Sequence, residues 1–211
     1  WILLDDGDVI FKDAASLWGK NWFDSERAIL ETLDPNTKGL SLEELSRNPI
    51  GVAGIGPPGE KMKGLACIMN RFYRAAGRGG HGAVLGSKNI KAVAARGNEK
   101  IPMHDATAYR AAVKKNETEV MQQGDITKRG GGLYILGTAL LVNVINGAGI
   151  YPTNNFQESQ FDGADDTSGE ALKDQRLIRN VGCKGCRIMC GRWSRIEQGP
   201  YAGTECEGFE Y

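Results

Sequence analysis

The sequence has no surplus of charge of either sign: Lys plus Arg and Asp plus Glu are each 26 in 211 residues. Without a basic excess there is no electrostatic footprint for nucleic acid, and a neutral balance favours small-molecule chemistry. Nothing resembles a signal peptide, and no apolar run is long enough to cross a bilayer, so no membrane span is expected. Histidine is scarce: His81 lies in a glycine-rich loop, His104 stands beside Asp105, and both read as surface positions. The five cysteines include no pair of separated Cys-x2-Cys knuckles, the usual form of a structural zinc site. Their odd number, with three inside eight residues, also argues against a disulfide framework, and the expected compartment is reducing and cytoplasmic. The 29 glycines show no Gly-X-Y period, which leaves turns and close backbone approach to a ligand as their use.

What is present is concentrated in two places. The first is Cys183-Lys-Gly-Cys186-Arg-Ile-Met-Cys190, flanked by Gly182 and Gly191. A Cys-x2-Cys-x3-Cys turn lets three thiolates converge from one loop, and neighbouring glycines let backbone N–H groups approach cluster sulfides. An iron–sulfur cluster is the first reading and structural zinc the alternative. Either needs a fourth ligand, which this loop does not supply.

The second is the run from Arg74 to Asn89, with Arg74 and Arg78 among Gly77, Gly79, Gly80, Gly82 and Gly86. Gly77, Gly79 and Gly82 match the dinucleotide fingerprint by spacing, but Arg71, Arg74 and Arg78 crowd the place where that fingerprint needs the end of an apolar strand. The loop's chemistry is that of phosphate binding: glycines at positive φ turn N–H groups into an anion nest, a following helix N-terminus adds its dipole, and arginines supply bidentate bonds. A glycine-rich turn with solvated arginines is the plainer reading, and a NAD-type module with structural zinc is a reading of another class.

Periodicity organises the rest. Residues 1–4 and 9–11 flank an acidic Asp-Gly turn and predict a hairpin. Residues 24–33 predict a helix capped by Asp24 or Ser25, with Glu26 in its first turn. Strands are expected at 50–55, 64–69 and 90–96, with Cys67 as core packing. Trp18, Trp22 and Trp193 are read as packing residues too. From residue 101 the texture turns helical, with helices at 105–123, 136–145 and 168–180. The expected fold class is α+β/α: a mixed-sheet N-terminal domain over residues 1–100, then the start of a mainly helical domain over 101–211. The chain begins without methionine and stops inside a motif-like run, so a fragment of a larger chain is expected.

Five ordered motifs carry a resemblance. They are Ile55-Gly-Pro-Pro-Gly-Glu60, the run from Arg74 to Ala92, Gly137-Thr-Ala-Leu-Leu-Val-Asn143, Tyr151-Pro-Thr-Asn-Asn-Phe156 and the cysteine loop, and together they resemble the tungsten-containing aldehyde:ferredoxin oxidoreductase family. The resemblance implies a tungsten (or molybdenum) bis-pterin, a 4Fe-4S cluster and a Mg2+ ion bridging the pterin phosphates. It implies that Arg74, Ala75, Gly77 and Arg78 contact the pterin cofactor, with the Ala75 carbonyl on Mg2+. Cys183, Cys186 and Cys190 match three cluster ligands, the fourth lying beyond Tyr211.

The last motif departs from the family pattern Gly-Pro-Glu-Tyr-Glu. Here Gly203-Thr-Glu205-Cys206-Glu207 puts cysteine in the tyrosine place. Glu207 then matches a family glutamate beside the metal, suited to general acid/base work. Cys206 is either a small hydrophobe or a soft metal ligand, as in the family's class II benzoyl-CoA reductase branch. The implied activity is oxidation of aldehydes to carboxylic acids with ferredoxin as acceptor; the alternative is tungsten-dependent reduction of an aromatic acyl-CoA ring. Implied partners are ferredoxin or an iron–sulfur electron-transfer subunit, within a homo- or hetero-oligomer.

Overall fold

An acidic turn starts the first sheet. Strands β1 (Ile2–Asp5) and β2 (Asp8–Phe11) pair antiparallel, with Ile2 opposite Phe11 and Asp5 opposite Asp8, as the Asp-Gly turn predicts. The structure, a computed structural model, describes residues 1–183 and 185–206. The chain divides into two compact units, Trp1–Ile101 and Pro102–Tyr211.

In the first unit, helix α1 (Trp22–Leu33) begins earlier than expected, because Asn21 caps it by accepting the Asp24 N–H at 2.9 Å. Its apolar stripe buries Ile29 and Leu30. Helix α2 (Leu42–Ser46) opens with a capping box between Ser41 and Glu44. Strand β3 (Gly51–Gly54), helix α3 (Pro57–Glu60), strands β4 (Ile68–Asn70) and β5 (Arg74–Ala76), helix α4 (His81–Ser87) and strand β6 (Ala92–Arg96) follow. The sheet order is β2-β1-β6-β3-β4-β5. Only β1 and β6 run parallel among its pairs, so the sheet is mixed as expected. The core joins Leu3, Val52, Ala92 and Ala94 of the sheet to Trp22, Ile29 and Leu30 of α1, with Leu17, Leu45 and Phe72. Trp18, read as a packing residue, is exposed.

The second unit is less helical than its sequence suggests. Helix α5 (Ala106–Lys115), capped by Asp105, passes into a π-helical turn at Asn116–Met121. The helix expected at 136–145 is interrupted: α6 (Gly132–Leu136), a 3-10 turn (Thr138–Leu140) and α7 (Leu141–Gly147) take its place. The break is at Gly137, whose φ of +68° is a conformation L side chains rarely adopt. A side-chain carbon there would come within 2.7 Å of the Cys190 carbonyl oxygen, so packing also requires glycine.

Helix α8 (Gly169–Gln175), capped by Ser168, stops well short of residue 180. Leu177 to Val181 instead form strand β7 (Leu177–Val181), antiparallel to β8 (Gly191–Arg195), which pairs with β9 (Glu205–Cys206). Isoleucine and valine in that stretch suit a strand, and a partner strand nearby decides the ambiguity.

Candidate functional site: an arginine-glycine cradle and a cysteine hairpin loop

The first unit gathers Arg74, Ala75, Gly77 and Arg78 into five residues that run from the edge strand β5 into the loop before α4. Strand β5 has a partner on one side only, with Met69 opposite Ala75, so alternate backbone carbonyls face outward from the sheet edge. Arg74 is half-buried, whereas Ala75, Gly77 and Arg78 are exposed. Gly79 (φ +92°) and Gly80 (φ +67°) follow, both left-handed, in the turn that leads into α4. The expected helix N-terminus adds little, since α4 is only seven residues long.

This set fits the phosphates of a pterin cofactor: guanidinium and backbone N–H groups for anionic oxygens, and a hard carbonyl oxygen at Ala75 for a bridging Mg2+. A dinucleotide fold does not match, because β5 is a short antiparallel edge strand and no parallel β-α-β unit surrounds the glycines.

The cradle's approach is held from beneath. Between β4 and β5 the chain turns through Arg71 (φ +46°) and Phe72 (φ +65°), both left-handed and neither glycine. Glu26, 2 % exposed, accepts the Phe72 N–H at 2.6 Å, and the Phe72 ring is fully buried beside Phe23. Burial pushes the Glu26 carboxyl up to about 7, against the opposing pull of the Phe72 and Arg71 N–H groups. The sequence reading placed Glu26 at a helix dipole; the structure puts it in the core.

A second buried charge belongs to the Gly-Pro-Pro-Gly-Glu motif. Glu60 Oε1 receives Lys91 Nζ at 2.5 Å, with both side chains almost wholly buried. Glu60 also accepts the Gly19 N–H at 2.9 Å, and Lys91 donates to the Lys20 carbonyl at 3.0 Å. Sequence reasoning missed this pair, although a lysine inside the apolar stretch at 90–96 was a signal. Cys67, read as core packing, is half-buried, its Sγ 3.4 Å from the Met69 sulfur.

In the second unit, Cys183, Cys186 and Cys190 lie on the connection between β7 and β8, so one hairpin loop carries all three. The Cys186 N–H bonds the Cys183 carbonyl at 2.9 Å, and Gly185 is left-handed. None is in a disulfide. Among the described residues no three side chains of the His, Cys, Asp or Glu type converge on one point, so the loop collects the thiols without closing them into a ligand set. The donor set itself, three soft thiolates with cluster spacing, fits iron and sulfide.

Cys206 sits on β9 opposite Ser194, four residues along β8 from Cys190. At strand rise that is roughly 13 Å, so the structure does not bring Cys206 to the loop. Glu207, the expected acid/base group, lies outside the described residues. Beneath the loop is Arg192, 2 % exposed, which donates to Asn180 Oδ1 and, at 2.9 Å, to the Tyr134 carbonyl. Burial lowers its pKa, with Cys190 and Tyr134 opposing. Along α5, Tyr109, Arg110, Val113 and Lys114 line a groove of about 630 Å3 with Gly185, Cys186 and Arg187, and Arg187 pairs with Glu117 at 2.6 Å.

Comparison with known proteins follows this geometry. The family described as "Aldehyde ferredoxin oxidoreductase, N-terminal domain" matches residues 1–97, and "Aldehyde ferredoxin oxidoreductase, domains 2 & 3" matches residues 111–211. The chain is 40 % identical over 211 residues to a tungsten-containing aldehyde ferredoxin oxidoreductase of Thermococcus kodakarensis, covering all of this chain and 32 % of that protein. It is 38 % identical to the Pyrococcus furiosus protein of the same name, with the same coverage. The chain thus spans about a third of the length of the curated relatives it matches. Among solved structures, the active-site complex BamBC of benzoyl coenzyme A reductase with 1,5-dienoyl-CoA shares the fold, with a TM-score of 0.61 and 22 % identity over 94 % of this chain and 30 % of that one.

Proposed function

The chain belongs to the aldehyde ferredoxin oxidoreductase family, and on that premise we propose that it supplies the phosphate cradle and cluster loop of a tungsten-pterin, iron–sulfur oxidoreductase. The complete enzyme oxidises an aldehyde and water to a carboxylic acid, two protons and two electrons, and the electrons pass to ferredoxin. When bound, the tungsten (or molybdenum) bis-pterin supplies the two-electron chemistry and a 4Fe-4S cluster the one-electron steps.

The chain's own residues bind, orient and move protons. Arg74 and Arg78 would neutralise the pterin phosphates, the backbone at Gly77 would leave room for close approach, and the Ala75 carbonyl would be a hard ligand for Mg2+. Cys183, Cys186 and Cys190 would supply three thiolates to the cluster. Glu207 handles the proton at the reacting oxygen. Arg110 and Lys114, in the groove that reaches Cys186, give an acidic electron carrier a cationic landing. The domain assignment that goes with this reading is a pterin-binding part over residues 1–100 and a cluster-bearing part from 101 onward, in the cytoplasm. No helix among the described residues is long and apolar enough to cross a membrane.

The observation that supports this reading most is the cradle itself, with Arg74 on an edge strand and Arg78 and two left-handed glycines in the loop that follows it. Its test is aldehyde-dependent reduction of ferredoxin by the holoenzyme, together with tungsten, iron and labile sulfide analysis. A colourless zinc protein that carries NAD would overturn it.

Cys206 favours a second reading, reduction of an aromatic acyl-CoA ring with a fifth sulfur on tungsten. X-ray absorption at the metal edge separates the two: four sulfur donors for aldehyde oxidation, five for the reductase.

A further inference from the structure

Among the described residues, Arg192 is a buried cation with no buried anion beside it. Its side chain is 2 % exposed, and its hydrogen-bond acceptors are both neutral: Asn180 Oδ1 and the Tyr134 carbonyl. Among the described residues no Asp or Glu lies within ion-pair distance of it, in contrast to Lys91, which has Glu60. A guanidinium cannot shed its proton to escape burial, so an uncompensated one is strongly destabilising unless a negative charge comes to it.

Its position says where that charge belongs. Arg192 follows Cys190 by two residues at the start of β8. The Cys190 carbonyl and the Arg192 side chain both close on Gly137, at 2.7 and 3.1 Å from where a Cβ would stand. The guanidinium is held in place by β7 and α6, because the Tyr134 carbonyl within α6 accepts both Arg192 Nη2 and Asn180 Nδ2, the latter at 2.7 Å. Two acceptors leave most of its five N–H donors uncommitted.

We propose that Arg192 is a positioning residue whose buried positive charge is the counter-charge to an anionic sulfur centre on the 183–190 loop. This rests on the reading of that loop as a cluster site. A thiolate-ligated iron–sulfur cluster is anionic and gains a further negative charge on reduction, so a fixed cation beside it stabilises the reduced form and raises its potential.

The test is an EPR-monitored redox titration of the holoenzyme carrying Arg192→Gln, Arg192→Lys or Asn180→Asp. Arg192→Gln removes the charge and should lower the cluster midpoint potential; Arg192→Lys should restore it towards wild type. Asn180→Asp gives Arg192 the carboxylate it lacks at the cost of one bond to Tyr134, and should also lower the potential, which decides the matter if Arg192→Gln does not fold. A full-iron Arg192→Gln or Asn180→Asp protein with an unchanged or raised potential overturns the proposal. A wild-type protein devoid of iron and sulfide overturns the cluster reading instead. Because the counter-charge rests on that reading, an iron-free wild type ends it too, and the iron content of the wild type tells the two failures apart.

Discussion

The two candidate sites are built in opposite ways. The cradle exists before any ligand arrives: its strand is set by a sheet, its preceding turn by the buried Glu26, and its glycines by close contacts such as Gly80 against the Gly64 carbonyl, 2.6 Å from where a Cβ would stand. The cysteine loop has its thiols on one hairpin, and among the described residues no three donors converge. On the proposed function, the anionic tails of a large cofactor would meet a surface already shaped for them, whereas a cluster would complete the site that binds it. Mutations in the cradle's support should therefore act through stability or affinity, and mutations in the loop through metal content.

The sharpest break is Cys183→Ala in the holoenzyme, which should abolish cluster iron and sulfide while pterin content stays near wild type. A mutant with a full cluster would remove Cys183 from the ligand set. Next is Lys91→Met, which strands a buried carboxylate at Glu60; thermal unfolding should show a loss of about 3–5 kcal/mol. Third is the pH dependence set by Glu26. Its carboxyl is raised from 4.5 to about 7 in the folded state, so the folded protein holds a proton that the unfolded chain releases. Its stabilising contribution is full below pH 4.5 and falls as pH rises through 7, by about 3 kcal/mol in all. Glu26→Gln should flatten that slope in denaturant titrations across pH 5 to 8, and an unchanged slope would refute the buried carboxyl. Arg78→Ala should weaken binding of the phosphorylated cofactor about 10- to 100-fold, as expected for a lost charge-assisted bond, with melting temperature nearly unchanged. The smallest effect is Gly79→Ala, a loss of about 1–2 kcal/mol in thermal unfolding from a left-handed alanine whose Cβ would meet only the His81 side chain.

Much of the first unit was legible because its signals are local. The Asp-Gly turn specifies the opening hairpin, the apolar stripe of α1 specifies its buried face, and the runs at 50–55 and 90–96 contain β3 and β6. The second unit was legible in its caps, Asp105 and Ser168, but not in its sheet. Leu177–Val181 can follow a helix period or a strand period, and only pairing with Gly191–Arg195 decides between them. The candidate site residues with distinctive types at distinctive spacing, the arginines and cysteines, stand out in the sequence, and the structure places each set on one short segment. Glu26, Glu60, Lys91 and Arg192 were not, because a charged residue read alone is assigned to the surface, and burial is a property of the neighbours that fold around it.

The central claim is that one chain carries two separable cofactor sites. It is tested most directly by measuring tungsten, pterin, iron and labile sulfide in the same preparations of wild-type, Arg78→Ala and Cys183→Ala holoenzyme. The account predicts all four in the wild type, a selective fall of tungsten and pterin in Arg78→Ala, and a selective loss of iron and sulfide in Cys183→Ala. Wild-type protein that contains zinc with no iron, or variants in which neither content responds to its own mutation, would contradict it.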